Sequence, residues 1–403
     1  MSTRRTIGLI ALAAVAWIVA AAWDPVHHQH LTDIPVYEDA AAKMGDGQIP
    51  YRDFSLEYPP LAALLIGAVR LLPSTYADGF SLAMFVALVA TLLGVTATAA
   101  ALRLSPRRRL AAGAIVALTP LLLGDLVSTR FDLALAALLA WTLWAAVTER
   151  FPAMWLLLAA AIALKLVPVA LIPALVIWQR HRTGRWPGRT LLPGAVASAI
   201  VWVPFLLIGF SGIRYLLDYH LHRPLQIESL GGSYLLGLRA LAGIPLSIVT
   251  SYGSQNVHGP GVDVITAITT GLQVASVVVA AIALVWFLRR CPPDLAVHGL
   301  VAAVATTLAL LVVTGKVLSP QFTLWLLPAC LLVAGPYGAF TAAAVVTVLV
   351  TTQLYFPYAY WDLVDMDPGA IAQLVVRNVA LIAVAAGSFP RIGWWEEPVR
   401  PPR

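Results

Sequence analysis

Twelve apolar runs, each at or approaching the length of a membrane helix, divide the sequence: 7–23, 78–102, 110–124, 131–148, 152–164, 166–179, 190–210, 263–288, 296–314, 320–334, 338–355 and 369–387. A span must be helical because each backbone donor and acceptor has to be satisfied inside the segment, and at about 1.5 Å per residue a hydrocarbon core of about 30 Å takes about 20 residues. A chain patterned this way cannot fold around one water-soluble core. With 60% hydrophobic and 11% charged residues, too little polar surface would remain to face water. The expected fold is an all-α polytopic membrane protein of about twelve transmembrane helices, a single transmembrane domain over 1–403.

The start, MSTRR followed by an apolar run, has the form of a signal peptide, but the run at 7–23 is longer than a cleaved core and reads as an uncleaved first helix. The runs 152–164 and 166–179 are short and meet at Lys165, so they form either two short spans or one re-entrant hairpin. The run 59–73, with Pro59, Pro60 and Arg70, suits a helix lying at the interface better than a span. With that choice the arginines at 4–5, 103–109, 180–189 and 289–290 all fall on one side, which identifies it as cytoplasmic, with both termini. A sequence pI near 9.5 therefore reports topology and not nucleic-acid binding. Two long outer segments remain, at about 24–77 and 211–262.

The first outer segment concentrates acids: Asp33, Glu38, Asp39, Asp46, Asp53 and Glu57. Asp46 and Asp53 adjoin Gly45, Gly47 and Pro50 and read as turn residues. Charges in or beside spans are costly when unpaired and are functional candidates by default. In this topology Asp33, Glu57, Arg130, Asp132, Lys165, Arg223, Glu228 and Lys316 gather at the outer side. Each has a plainer reading. Arg130 and Asp132 can pair locally at a helix end. Lys165 can snorkel to headgroups, or face an anionic ligand where Pro168 breaks the helix. The stretches HLHRPLQIESLGG (220–232) and KVLSPQFTLWLLP (316–328) can be capped helix boundaries. His27, His28 and His30 lack the spacing and further ligand of a zinc site, and Cys291 and Cys330 suggest neither a disulfide nor a thiolate site. No metal or other cofactor is expected.

The pattern Asp33-x-x-x-Tyr37, PYRDFSLEYPPLAALL (50–65), Lys165-x-x-Pro168, RPLQIES (223–229) and K-x-x-SPQ-x-x-x-W (316–325) resembles glycosyltransferase family 87. The resemblance implies a polytopic actinobacterial enzyme of the C-type glycosyltransferase fold, with an extracytoplasmic site in the cell membrane and a polyprenyl-phosphate sugar donor, typically polyprenyl-phosphomannose. It implies an α-mannosyltransferase of cell-envelope biosynthesis acting on a glycolipid or glycan acceptor. Asp33 matches the family's carboxylate and is the expected general base of an inverting displacement. Lys165, Arg223, Lys316 and Arg130 are expected to hold the donor phosphate. Tyr37, Glu57, Tyr58, His220, Gln226, Glu228 and Gln321 are expected to contact substrate, Tyr37 either stacking on a sugar or packing beneath the loop. The competing classes are a secondary transporter, against which the absence of an internal repeat argues, and a lipid-linked sugar ligase or polymerase.

Overall fold

The computed structural model of the protein describes residues 3–22 and 31–391. His27, His28, His30 and the tail with Trp394 and Trp395 lie outside the described residues.

Helix α1 (Thr3–Ala22) leads into the first long segment, which is itself structured as α2 (Ile34–Gly45) and α3 (Pro60–Val69). Prolines in the first turns of both helices fix their starts, where a missing N–H loses no bond. The ten-residue α3 is too short to cross and packs on α2. α4 (Tyr76–Ala101) begins where the Thr75 hydroxyl accepts from the Asp78 amide, and α5 (Pro106–Leu123) where Ser105 accepts from Arg108. One turn, α6 (Leu126–Thr129), joins α5 to α7 (Asp132–Val147).

Next, α8 (Phe151–Leu164) and α9 (Ile172–Thr183) are joined through Lys165 and the 3₁₀ turn Val167–Leu171. Arg182, in the last turn of α9, pairs at 2.5 Å with Glu149, just ahead of α8. The two helices therefore run antiparallel with Lys165 at the turn between them, an arrangement common to two short spans and a re-entrant hairpin. α10 (Leu192–Ile208) follows, the most exposed of the long helices. The second long segment holds α11 (Phe210–His222), α12 (Leu230–Ala242) and an antiparallel hairpin of β1 (Ser247–Ser251) and β2 (Ser254–His258). Tyr252 and Gly253 both have positive φ, 52° and 63°, as a two-residue hairpin turn matched to strand twist requires.

α13 (Val262–Leu288) and α14 (Ala296–Thr314) pack together, and α14 is the most buried long helix. After the 3₁₀ segment Pro320–Leu326 come α15 (Leu327–Cys330), α16 (Tyr337–Tyr355), α17 (Tyr360–Val364) and α18 (Pro368–Ser388). Asp367 caps α18 through the Gly369 and Ala370 amides.

Seven stretches among the described residues are long and apolar enough to cross a membrane: α1, α4, α10 with its preceding turn, α13, α14 with its preceding turn, α16 and α18. The other expected spans are shorter or irregular. The run 320–334 departs most, being a 3₁₀ segment and a single α-turn where a transmembrane helix was expected. Pro320 and Pro328 remove two amide donors there. The segment is enclosed by α7, α14 and α16, and irregular backbone at membrane depth is tolerated where protein, not lipid, surrounds it.

Candidate active site

Asp33 stands directly ahead of α2, yet its carboxylate caps no amide of that helix. It faces Arg130 instead, with Nε 2.8 Å from Oδ2, and the Tyr37 hydroxyl donates to the same oxygen at 3.3 Å. The guanidinium is anchored by donating through Nη2 to the Leu31 carbonyl at 2.8 Å and through Nη1 to the Thr129 carbonyl at 3.3 Å. Asp33 Oδ1 has no partner among the described residues. The Asp33 side chain keeps 30% of its exposure against 9% for Arg130, so the carboxylate is the reachable member of the pair.

Asp132 does not pair locally with Arg130. Arg130 is in extended backbone ahead of α7, whereas Asp132 is already in its first turn, and the two side chains take different partners. Asp132 Oδ1 accepts from Lys165 Nζ and from Trp325 Nε1, each at 2.7 Å. The ammonium also lies over the rings of Phe322, Trp325 and Phe131, at 4.6, 4.9 and 5.3 Å. Lys165 is thus drawn inward by a buried carboxylate and an aromatic wall, and does not snorkel.

A third group is built on the segment after α11. Arg223 Nη2 donates to the Ser254 hydroxyl at 3.0 Å, and Lys316 Nζ donates to the Leu221 carbonyl at 2.7 Å. Neither cation has a carboxylate partner among the described residues. The backbone between them is pinned by amide bonds from Gln226 to the Lys316 carbonyl, Ile227 to Gln255, and Val257 to Leu225. Beneath it Glu228 is fully enclosed: Oε2 accepts from Gln226 Nε2 at 2.7 Å and Oε1 from the Tyr355 hydroxyl at 2.8 Å. Its own carbonyl accepts from Arg377 Nη2 at 2.7 Å. Burial pushes the Glu228 carboxyl up to about 7, against the pull of the Arg377 charge.

Gln226 and Glu228 were expected to touch substrate. Both are buried: Gln226 Nε2 donates to Glu228 Oε2, Glu228 Oε1 accepts from Tyr355 of α16, and Gln226 Oε1 has no partner among the described residues, so the pair braces the segment that carries Arg223. Tyr37 is also buried, among Tyr58, Phe80 and Phe131, which selects packing beneath the loop over stacking on a sugar. Tyr58 is half-buried edge-on to Phe131. Glu57 is half-buried, its carboxyl raised by burial, and its carbonyl faces His220 Nε2 at 3.1 Å. Gln321 is half-buried in the 3₁₀ segment beside Phe322. Asp53 does turn work, accepting the Ile49 amide at 2.7 Å.

These groups share one end of the bundle and act on one another. Lys165 feels the charges of both Asp33 and Arg223, as does Glu57, and Lys316 feels Arg223. Arg377, Asn378, Tyr355 and Ser254 are not among the site residues expected from the sequence, and Trp325 enters there only as the last residue of the 316–325 motif. Arg377 and Asn378 had a signal, a charge and an amide inside the apolar run 369–387. Among the described residues no three His, Cys, Asp or Glu side chains form a metal-holding group.

The family model of glycosyltransferase family 87 matches residues 56–315, more than half of the chain. The chain belongs to glycosyltransferase family 87. It is accordingly a membrane glycosyltransferase that takes its sugar from a lipid-linked donor. The match takes in Glu57, Arg130, Lys165, Arg223 and Glu228, while Asp33, Lys316 and Arg377 lie beyond it. No curated protein matches the chain. Among solved structures, ArnT from Cupriavidus metallidurans in the apo state aligns over 95% of this chain and 77% of its own, with 15% identity and a TM-score of 0.47.

Proposed function

We propose that this family 87 member transfers a sugar, mannose in the first instance, from a polyprenyl phosphate to a glycolipid or glycan of the cell envelope, with inversion, on the extracytoplasmic side of the cell membrane. Asp33 is the general base. Its Oδ1, without a partner among the described residues, takes the proton of the acceptor hydroxyl as that oxygen bonds to the anomeric carbon. The bond from that carbon to the phosphate oxygen breaks, and the polyprenyl phosphate leaves as a stable anion needing no proton. Arg130 and Tyr37 hold the other carboxylate oxygen and so orient the base.

The observation that carries this reading is the state of the four candidate cations. Arg130 and Lys165 are each committed to a carboxylate, whereas Arg223 and Lys316 are not. Burial, and after it the Arg223 charge, push the Lys316 ammonium below its ordinary value. Two cations that disfavour each other and form no ion pair among the described residues are relieved by an anion between them, and a lipid phosphate is such an anion. Lys165 and Arg130 then act at longer range, on the side of the base. No metal takes part in this scheme.

The deciding experiment compares transfer of radiolabelled mannose from polyprenyl-phosphomannose to membrane acceptors by wild-type membranes and by Asp33→Asn. Transfer by wild type alone supports enzyme, donor and base together. Equal transfer by both removes Asp33 and turns attention to Glu57. Transfer from a polyprenyl-phosphate pentose but not from the mannose donor would overturn the sugar and keep the mechanism.

A further inference from the structure

At the opposite end of the bundle a groove of about 610 Å³ opens between α9 and α13, lined by Ile177, Ala281, Ile282, Val285, Trp286, Arg289 and Arg290. That volume is in the range of small-molecule sites, roughly 300–1,000 Å³. Its chemistry is graded along the helix. From Ala281 to Arg290 is a rise of about 13 Å, apolar at the deep end and doubly cationic at the mouth. The wall of α13 is exposed at Ile282 and Trp286.

Among the described residues the two arginines have no anionic partner. Neither forms an ion pair or side-chain hydrogen bond with a described residue, and α13 is closed by backbone amides, Arg289 to the Val285 carbonyl and Cys291 to that of Phe287. Both side chains are exposed, and the Arg290 guanidinium lies over the Trp286 ring at 4.8 Å. An indole beside unpaired arginines at the end of a long apolar helix is the composition of a headgroup boundary. An occupant must therefore offer an anion at the mouth and hydrocarbon below it.

We infer that this groove is a binding site for an anionic phospholipid, its phosphate between Arg289 and Arg290 and one acyl chain against Ile177, Ile282 and Val285. A zwitterionic lipid fits the apolar part equally well but brings its own cation to the arginines. The site is separate from glycosyl transfer and stands whether or not the donor proposed above is right.

The test uses the full-length protein, delipidated in detergent and titrated with chain-brominated phosphatidylglycerol or phosphatidylcholine, reading quenching of tryptophan fluorescence. The quenching component lost in Trp286→Phe belongs to this groove. It should appear at lower phosphatidylglycerol than phosphatidylcholine, by roughly thirtyfold for two arginines at a headgroup surface. Arg289→Gln with Arg290→Gln should abolish that preference at an unchanged melting temperature, and Arg289→Lys with Arg290→Lys should restore most of it. Equal quenching by the two lipids, or a preference that survives the double glutamine variant, would overturn the proposal. So would complete displacement of the brominated lipid by inorganic phosphate at constant ionic strength, since the occupant would then be a soluble anion.

Discussion

Asp33 and Arg130 meet through one carboxylate oxygen: Arg130 Nε is 2.8 Å from Oδ2, and Oδ1 is without a partner among the described residues. Half of the carboxylate is fixed and half is available. Asp33→Asn keeps the size of the side chain and removes its capacity to take a proton, so transfer should fall by about 10²–10⁴-fold. Arg130→Gln leaves the base in place but unoriented, and should cost less in transfer than Asp33→Asn. Both are read in the transfer assay beside melting curves. An Arg130→Gln enzyme with wild-type rates would show that the pair orients nothing.

The Lys165–Asp132 pair is a stability element as well as a site element. Its members are 18% and 2% exposed, and Trp325 shares the same Asp132 oxygen. Lys165→Ala strands a buried carboxylate and should destabilise by about 3–5 kcal/mol. Adding Asp132→Asn removes the stranded charge, so the double variant should melt above Lys165→Ala alone. Strictly additive losses in detergent melts would mean the two residues are not coupled.

The parts legible in the sequence were those written locally. Apolar runs gave the helices of the bundle, and an outer-end concentration of Asp33, Arg130, Lys165, Arg223 and Lys316 followed from charge at span ends. Pairing was not legible. Whether Arg130 meets Asp132 two residues away or Asp33 across the fold depends on backbone direction at the start of α7, which periodicity does not report. The same holds for Glu228, whose burial follows from the packing of α12 on α18. The hairpin of β1 and β2 was passed over inside a segment read as an outer loop, although Tyr252-Gly253 marks its turn. The run 320–334 reads as a helix but folds as a 3₁₀ segment with one α-turn, because apolar composition does not distinguish an α-helix from a buried 3₁₀ segment.

Orientation is tested by chemistry on intact cells. The reading above puts 31–55 and 220–230 outside and 181–188 inside. Single cysteines in the first two stretches should react with a membrane-impermeant thiol reagent, and cysteines in 181–188 should react only after permeabilisation. External labelling at 181–188 would invert the proposed side of the active site.

Glu228 makes stability depend on pH. Its carboxyl, ordinarily near 4.5, is raised to about 7 in the folded protein by burial. A raised folded value means the protonated form is favoured by folding, so the contribution is complete below about 4.5 and is lost as pH rises through about 7. Glu228→Gln imitates the protonated side chain, keeps an acceptor for the Tyr355 hydroxyl, and should flatten the change in melting temperature across that window. A wild-type slope in Glu228→Gln would assign the pH dependence to another group.

The brace around Glu228 can also be tested without touching a polar side chain. Gly232, in the first turn of α12, approaches the preceding loop so closely that a Cβ would lie 2.5 Å from the Gln226 carbonyl oxygen and 2.7 Å from that of Ile227. Its backbone is not in the left-handed region, so the penalty of Gly232→Ala is crowding alone. The loop cannot easily yield, because Gln226 is bonded to the Lys316 carbonyl and Ile227 to that of Gln255. Relief has to come from moving α12 or the segment that carries Arg223 and sets the position of Lys316. Gly232→Ala should therefore destabilise by about 1–3 kcal/mol and raise KM for the lipid donor more than it lowers kcat. Gly237→Ala, in the same helix, meets nothing within 4 Å and should instead be neutral or stabilising by up to about 1 kcal/mol. If the two variants melt and turn over alike, the close approach of α12 does not hold the donor-phosphate cations in place, and the role given to the 225–228 segment fails with it.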